Sequence, residues 1–429
     1  MEKIKKNTLR NGISRNVIMT GLVSLFNDIS SDMTTPLIPL FMSSMLNAPV
    51  YIIGITMGLA DGLSNILKVV SGWLSDRLQK RKIFVIIGYS LSGFSKAMMG
   101  FASNWAGAFI SRVSDRMGKG IRTASRDAIL VESSTRKARS NAFGIHRGLD
   151  SMGAVIGPLI GIVLVKYFAI SMRALFFIAL IPSLIGIALL VIFVQETAKQ
   201  STPLDTAIKK VSCNKNNNQC YTTSFFWFLG LTTFFNLANS SDAFLFLRAQ
   251  SAGASIIILL LLHALQHTFY SIFSFASGYM AQKKGELTIL SYGYTLFAFI
   301  YLICAFTGSF AMLFIIFPLY GMFFGLTDGM APSYMSYLVK HEVIATAYGI
   351  YYTLTGFSVM IASIIAGSLW SAVSPQAPFI LGAIVASIAA IGITIWQYTT
   401  KKELLKIKQE HASIVAKKAH ERISSEHEK

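Results

Sequence analysis

Long apolar runs alternate with short polar ones along almost the whole chain. A hydrocarbon core takes about 20 apolar residues per helix. On that measure the runs predict spans at 16–46, 54–72, 83–102, 105–131, 144–166, 173–194, 223–247, 255–282, 287–307, 310–338, 346–372 and 378–399. The pattern is that of an all-α integral membrane protein with twelve transmembrane helices. The stretch 195–222, with Pro203 and the polar run Asn214–Gln219, reads as a central loop. The predicted organisation is then a leader at 1–15, a six-helix bundle at 16–194, the loop at 195–222, a second six-helix bundle at 223–399 and a basic tail at 400–429.

Internal repetition supports two equivalent halves. Ser71-Gly72-Trp73-Leu74-Ser75-Asp76-Arg77 follows the second span, and Ser277-Gly278-Tyr279-Met280-Ala281-Gln282-Lys283 follows the eighth. Ala142-Phe143-Gly144-Ile145 opens the fifth, and Ala347-Tyr348-Gly349-Ile350 opens the eleventh. Ser30-Ser31-Asp32 is echoed by Ser240-Ser241-Asp242. The three matches keep their order and lie 206, 205 and 210 residues apart, from 71 to 277, 142 to 347 and 30 to 240. Parallel repeats of this kind place a solute site near the midplane, between the halves.

Composition agrees. Only 14% of the 429 residues are charged, and 53% are hydrophobic. Soluble domains carry about 25% charged residues. The net charge of +18 would suit nucleic acid, but the location of the bases argues against that partner. They cluster at Lys3–Arg15, Arg77–Lys82, Arg136–Arg147, Lys199–Lys215, Lys283–Lys284, Lys340 and Lys401–Lys418. The alternate connections are almost uncharged, with Lys166, Arg173 and Arg248 as exceptions near helix ends. The positive-inside rule then puts both termini and the basic loops in the cytoplasm, and the protein in a bacterial inner membrane. The first apolar run is too long for a cleaved signal and is expected to stay as an anchor. Cys213 and Cys220 fall in the basic loop and are expected to be reduced. The sequence has no G-x-x-x-x-G-K-[ST], which argues against ATP drive, and no convergent nucleophile and base. An enzyme is not expected.

The segment Gly72-Trp73-Leu74-Ser75-Asp76-Arg77-Leu78-Gln79-Lys80-Arg81-Lys82 resembles the signature of the major facilitator superfamily between its second and third helices. The usual glycine after the Asp-Arg pair is absent here. Arg112, and the run Gly153-Ala154-Val155-Ile156-Gly157-Pro158-Leu159-Ile160-Gly161, also resemble family features; the second is commoner in proton-driven exporters. The pair of segments Phe26–Met33 and Asp115–Ala128 is similar to those of a bacterial subgroup. The resemblance covers 16–399. It implies alternating access, with a latch on the cytoplasmic side built from Gly72, Asp76, Arg77 and Arg81. Asp76 would accept from the amide end of the eleventh helix, and Glu196 is a candidate partner for Arg77, Arg81 or Lys82.

The fourth span carries the most charge. Arg112, Asp115, Arg116, Lys119, Arg122, Arg126 and Asp127 fall within roughly 140° of one helix face and extend over about 21 Å. Each such charge costs at least about 2.5–3.5 kcal/mol against lipid, so the stripe must face protein or water. On the first span Ser24, Asp28, Ser31, Asp32 and Thr35 share a face. Asp28 and Asp32 either neutralise the fourth-span bases in a buried network or belong to a path for solute and protons. Arg126, Asp127, Arg147 and Asp150 lie near the cytoplasmic end and suit gate contacts. The first-half spans hold eight bases (Lys68, Lys96, Arg112, Arg116, Lys119, Arg122, Arg126, Arg147) and six acids (Asp28, Asp32, Asp61, Asp115, Asp127, Asp150). The surplus of two suits an anionic solute.

The second half offers Asn236, Asn239 and Ser240, then His263, Gln266, His267 and Tyr270, then Asp328. Tyr348, Tyr351, Tyr352 and Thr355 share a side of the eleventh span. His263 and His267 are spaced to share a metal, but two ligands without a nearby carboxylate argue for proton relay or hydrogen bonding, so no metal and no cofactor are expected. The reading is a secondary transporter for a small anionic or polar organic solute: an organic acid, a carboxylate siderophore or a sugar derivative. Its expected partners are solute, protons and lipid, and it is expected to be a monomer. The rivals are a proton-coupled multidrug antiporter and a non-transporting sensor or scaffold of the same fold.

Overall fold

The computed structural model describes residues 8, 9, 13–78, 80–134, 139–196, 222–306, 308–339 and 344–398. The expectations for the central loop's Cys213 and Cys220 and for the tail at 400–429 lie outside them. The described chain is almost all helix. The helices are α1 Arg15–Asp32, α2 Leu37–Leu40 running into a π-turn at Phe41–Met45, α3 Val50–Leu78, α4 Arg81–Phe101, α5 Trp105–Glu132, α6 Arg139–Phe168 and α7 Met172–Phe193. After the central segment come α8 Thr223–Asn236, α9 Ala243–Ser251, α10 Ile256–Lys284, α11 Glu286–Phe306, α12 Phe310–Thr327, α13 Met330–Leu338, α14 Ile344–Ala372 and α15 Ala377–Tyr398.

Local chemistry sets many of these ends. Asn104, Ser171, Thr222 and Ser255 cap α5, α7, α8 and α10, each accepting from the backbone N–H three residues on. Gly285, at φ 86°, ends α10 in a conformation that residues with a Cβ avoid. Glu196, just past α7, accepts from the N–H groups of Arg81 at 2.6 Å and Lys82 at 3.1 Å, satisfying the start of α4.

Among the described residues nine helices are long and apolar enough to cross a membrane. The 28-residue α5 is long enough but too highly charged for that set. Two expected continuous spans are interrupted. The span at 16–46 breaks at 33–36, where Pro36 has no N–H to donate. The span at 223–247 breaks at 237–242, while that at 310–338 runs through from Phe310 to Met335 with only a turn at Asp328-Gly329. Each interruption coincides with polar residues inside an otherwise apolar run, which hydropathy alone passes over. Irregular backbone at membrane depth persists where it is buried in protein or lines a cavity.

The helices before residue 197 form one packed group and those after 221 another. In the first, α1 packs on α6 and α7, and α5 on α3 and α4. In the second, α12 packs on α10 and α11, and α8 on α14. The groups meet through α3 with α14 and α6 with α10. The contact is close: a Cβ at Gly54 would lie 2.5 Å from the Ser363 carbonyl and 3.0 Å from Gly367 Cα. One at Gly58 would lie 2.7 Å from the Met360 carbonyl. At the other end of the same helices, Cβ atoms at Gly148, Gly278 and Gly349 would meet nothing within 4 Å. Among the described residues the two groups therefore touch at one end, where the Tyr51 N–H donates to Ser371 and Ser43 donates to Gln250, and no hydrogen bond or ion pair joins them at the other. Large apolar side chains such as Phe101, Ile192, Phe275 and Tyr398 point outward, as a lipid-facing surface requires.

Candidate functional site

A cavity of about 270 Å³ lies between the groups, just inside the end where they touch. Two helices of the first group build its cationic wall. Asp61, Asn65 and Lys68 on α3, and Arg112, Arg116 and Lys119 on α5, repeat at i, i+4, i+7 and so share a helix face. Ser64 of α3 and Gly120 of α5 fix the crossing; a Cβ at Gly120 would sit 2.5 Å from the Ser64 carbonyl. The opposite wall is the interrupted segment Asn239-Ser240-Ser241-Asp242, with Phe246 and Phe324 beside it. Ser363 Oγ accepts from the Ser241 N–H at 3.0 Å, which gives one backbone donor of the break a partner.

The charges are partly paired. Arg116 Nε meets Asp61 at 3.1 Å. Arg112 meets Asp115 at 3.4 Å, and Asp115 also accepts from the Ser92 hydroxyl and lies 3.9 Å from Lys96. Lys68 donates to Asn65 at 2.8 Å. Among the described residues, Lys119 has no carboxylate within 4 Å. On the far wall Asp242 accepts from the Tyr320 hydroxyl at 2.8 Å and from Gln266 at 3.5 Å. Four cations and two carboxylates line the cavity, counting Lys68, Arg112, Arg116 and Lys119 against Asp61 and Asp242. Tyr320→Phe removes a hydrogen bond to a half-buried carboxylate and should destabilise the protein by about 1–3 kcal/mol. A fall in the thermal unfolding midpoint checks it; an unchanged midpoint would mean that water replaces the hydroxyl.

Of the residues singled out in the sequence, Arg112, Arg116, Lys119 and Asn239 line this cavity. Asp115 stands behind Arg112 and lines a small neighbouring pocket of about 20 Å³. Arg122 lies instead over the Tyr89 ring at 4.5 Å, inside the first group. Asn236 donates back to the Thr232 carbonyl at 2.7 Å, one turn earlier. Asp28 lies close to Asp150, Asp32 and Arg122. Asp328 accepts from the Tyr270 hydroxyl at 3.0 Å, and Tyr352 is exposed on the parted end.

The expected gate residues make contacts within the first group. Arg126 donates to Asp127 at 3.1 Å and reaches Ser24 at 3.4 Å and Asp150 at 4.0 Å; the Ser24 hydroxyl donates to Asp150. Arg81 donates to Ser75 at 2.8 Å and meets Glu132 at 3.4 Å. Arg77 lies over Trp73, Gly72 abuts Ala124, and Arg147 is exposed. The side chain of Asp76 lies outside the described residues. Glu196 serves the α4 backbone through the N–H groups of Arg81 and Lys82.

The argument against a metal at the histidine pair needs correction, because a carboxylate is nearby after all. Asp32 Oδ1 lies 3.2 Å from His263 Nε2, and the two imidazole rings are 4.5 Å apart. Asp32 sits 231 residues from His263, and the packing of α6 against both α1 and α10 brings them together.

Asp61, Asn65, Lys68, Ser241 and Asp242 also line the cavity and were not picked out as site residues. Two signals pointed to them. Asp242 is the repeat partner of Asp32, and Asp61 and Lys68 are charges seven apart in an apolar run, on one helix face.

A charged cavity between two groups of membrane helices, closed at one end and parted at the other, is the site of a solute carrier. The chain belongs to the Major Facilitator Superfamily, whose model matches residues 20–265 and 226–423. It is 35% identical over 395 residues to an uncharacterized MFS-type transporter of Methanocaldococcus jannaschii, covering 90% of this chain and 96% of that one. Its fold is similar to a POT family transporter solved with 5-aminolevulinic acid, at TM-score 0.76 and 13% identity, covering 92% of this chain and 99% of that chain. It is also similar to the human organic anion transporter TETRAN, at TM-score 0.61 and 16% identity, covering 88% and 99%. The protein is a multi-pass membrane transporter.

Proposed function

We propose that this protein is a proton-coupled secondary transporter that carries a small anionic or polar organic solute across the cytoplasmic membrane by alternating access. Twelve spans in two six-helix halves rock about the cavity, and both termini face the cytoplasm. The parted end is then the cytoplasmic one, since it carries the basic loop at 77–82. The observation that carries the solute class is the cationic surplus on the cavity wall, with Lys119 unpaired among the described residues. A carboxylate or phosphate bound there would neutralise that surplus and accept from Arg112 and Arg116. The POT family structure with 5-aminolevulinic acid, itself a carboxylate, and the human organic anion transporter fit that chemistry as analogies. The gate role of Arg126, Asp127, Arg147 and Asp150 belongs to the same proposal: they would face the second half when the parted end closes.

The export reading rested on the glycines of α6. A Cβ at Gly153 would sit 2.6 Å from the Leu25 carbonyl, and one at Gly157 would sit 2.6 Å from that of Ile29. Close approach of α1 and α6 accounts for both glycines without an export role. The test is a thermal-shift screen of purified protein with organic acids, carboxylate siderophores, sugars and lipophilic cations, followed by counterflow in proteoliposomes. Stabilisation by anions and exchange of the labelled anion are expected. Stabilisation by lipophilic cations alone would turn the reading to drug export, and binding without exchange would turn it to a sensor.

A further inference from the structure

Asp32, His263 and His267 offer three ligand atoms that all lie within 4.8 Å of one another. We propose that they form a site for a divalent transition cation of the zinc class, held between the two helix groups. The donor set is two imidazoles and one carboxylate, which suits such a cation and leaves coordination positions open. The two histidines lie one turn apart on α10, so their rings project from the same face. The carboxylate comes from the last turn of α1.

His263 is 2% exposed, and its Nδ1 has no hydrogen-bond partner among the described residues. That nitrogen lies on the ring edge away from Asp32, so a shared ion would be held through Nε2 and not through it. The ring holds its Nε2 toward Asp32 at 3.2 Å. Tetrahedral zinc with bonds near 2.0–2.1 Å holds its ligands roughly 3.3 Å apart, so a small inward movement of the His267 ring completes the set.

The opposing charge is Lys119, which acts on both Asp32 and His267. It has no ion pair among the described residues, and its four-carbon stem lets the ammonium swing into the cavity when a cation arrives. Because the ligands come from both helix groups, a bound cation would tie them together near the end where they touch. The site stands independently of which solute is carried, since it can be measured without transport.

The experiment uses the purified full-length protein, with any affinity tag removed, titrated with Co²⁺ and with Zn²⁺. The expected result is one equivalent bound with visible cobalt absorption, displaced by Zn²⁺. His267→Ala should weaken binding by at least about 10–100-fold, the loss known for disturbing even the outer shell of a metal site. Lys119→Met should tighten binding, because it removes the facing cation. Cobalt absorption that survives both His263→Ala and His267→Ala, or affinity that falls in Lys119→Met, would overturn the proposal. If the histidine variants fail to fold, the Lys119→Met arm still decides.

Discussion

Arg116→Ala is expected to cut anion affinity by about 30-fold or more. Truncating one partner of a hydrogen-bonded charge pair in a desolvated site costs roughly 2–5 kcal/mol. The lower end applies here, because the Arg116 and Asp61 side chains keep 18% and 29% of their exposure. The change leaves three cations against the two carboxylates of the lining instead of four, and it frees Asp61 to repel the solute. Asp61→Asn should act in the opposite direction. It removes a carboxylate, leaves four cations against one, and should strengthen anion binding as long as Arg116 stays extended along α5. The pair of variants therefore separates charge from folding, since a merely damaged protein would lose affinity in both. Anion-dependent thermal shift and counterflow measure it. Equal losses in the two variants would remove the electrostatic argument for the cavity.

Gly54→Leu is expected to drive the protein out of the conformation described above. A Cβ at that position already collides with the Ser363 carbonyl at 2.5 Å, and a leucine must push α3 away from α14. Overpacking of this kind costs about 1–3 kcal/mol, which shifts a two-state population by roughly 5–150-fold. The released state is one in which this end opens and the other end closes. Spin labels at Tyr51 and Val373, both exposed near the touching end, should move apart. Labels at Val70 and Ile350, exposed toward the parted end, should approach. Gly148→Ala is the control, because its Cβ meets nothing within 4 Å and the distances should not change. Unaltered label distances in Gly54→Leu would mean that the contact of α3 with α14 does not hold the closed end.

Both predictions depend on features of unequal visibility in the sequence. The stripe Arg112–Arg116–Lys119 was legible because lipid penalises charge heavily and helical periodicity fixes which residues share a face. The same reasoning over-collected. Arg122 shares the stripe by angle, yet its guanidinium lies on Tyr89 inside the first group, and no periodicity reveals which neighbour a wide charged face will meet. Asp61 and Lys68 were counted among the charges but not placed in the site. Their role depends on α3 crossing α5 at Ser64 and Gly120, a contact between chain segments 56 residues apart, from 64 to 120.

The family signature was legible as well, since Gly72–Arg77 lies at one helix end and repeats in degraded form at 278–283. The role of Glu196 was legible only as proximity of charge. Its carboxylate satisfies the free N–H groups that begin α4, a need set by helix geometry.

By itself the sequence determined that the chain is helical, that it lies in a membrane and that charge runs down the fourth span. Those are consequences of the local cost of placing each residue in lipid, and they need no knowledge of what packs where. The tertiary structure alone decided that two spans are interrupted, that Asp242 faces Arg112 and Arg116 across a void, and that Asp32 meets His263. It also decided which end is shut. Each of these requires two helices distant in sequence to approach within a side chain's reach, and that approach is set by the fit of glycines and broken helices against one another.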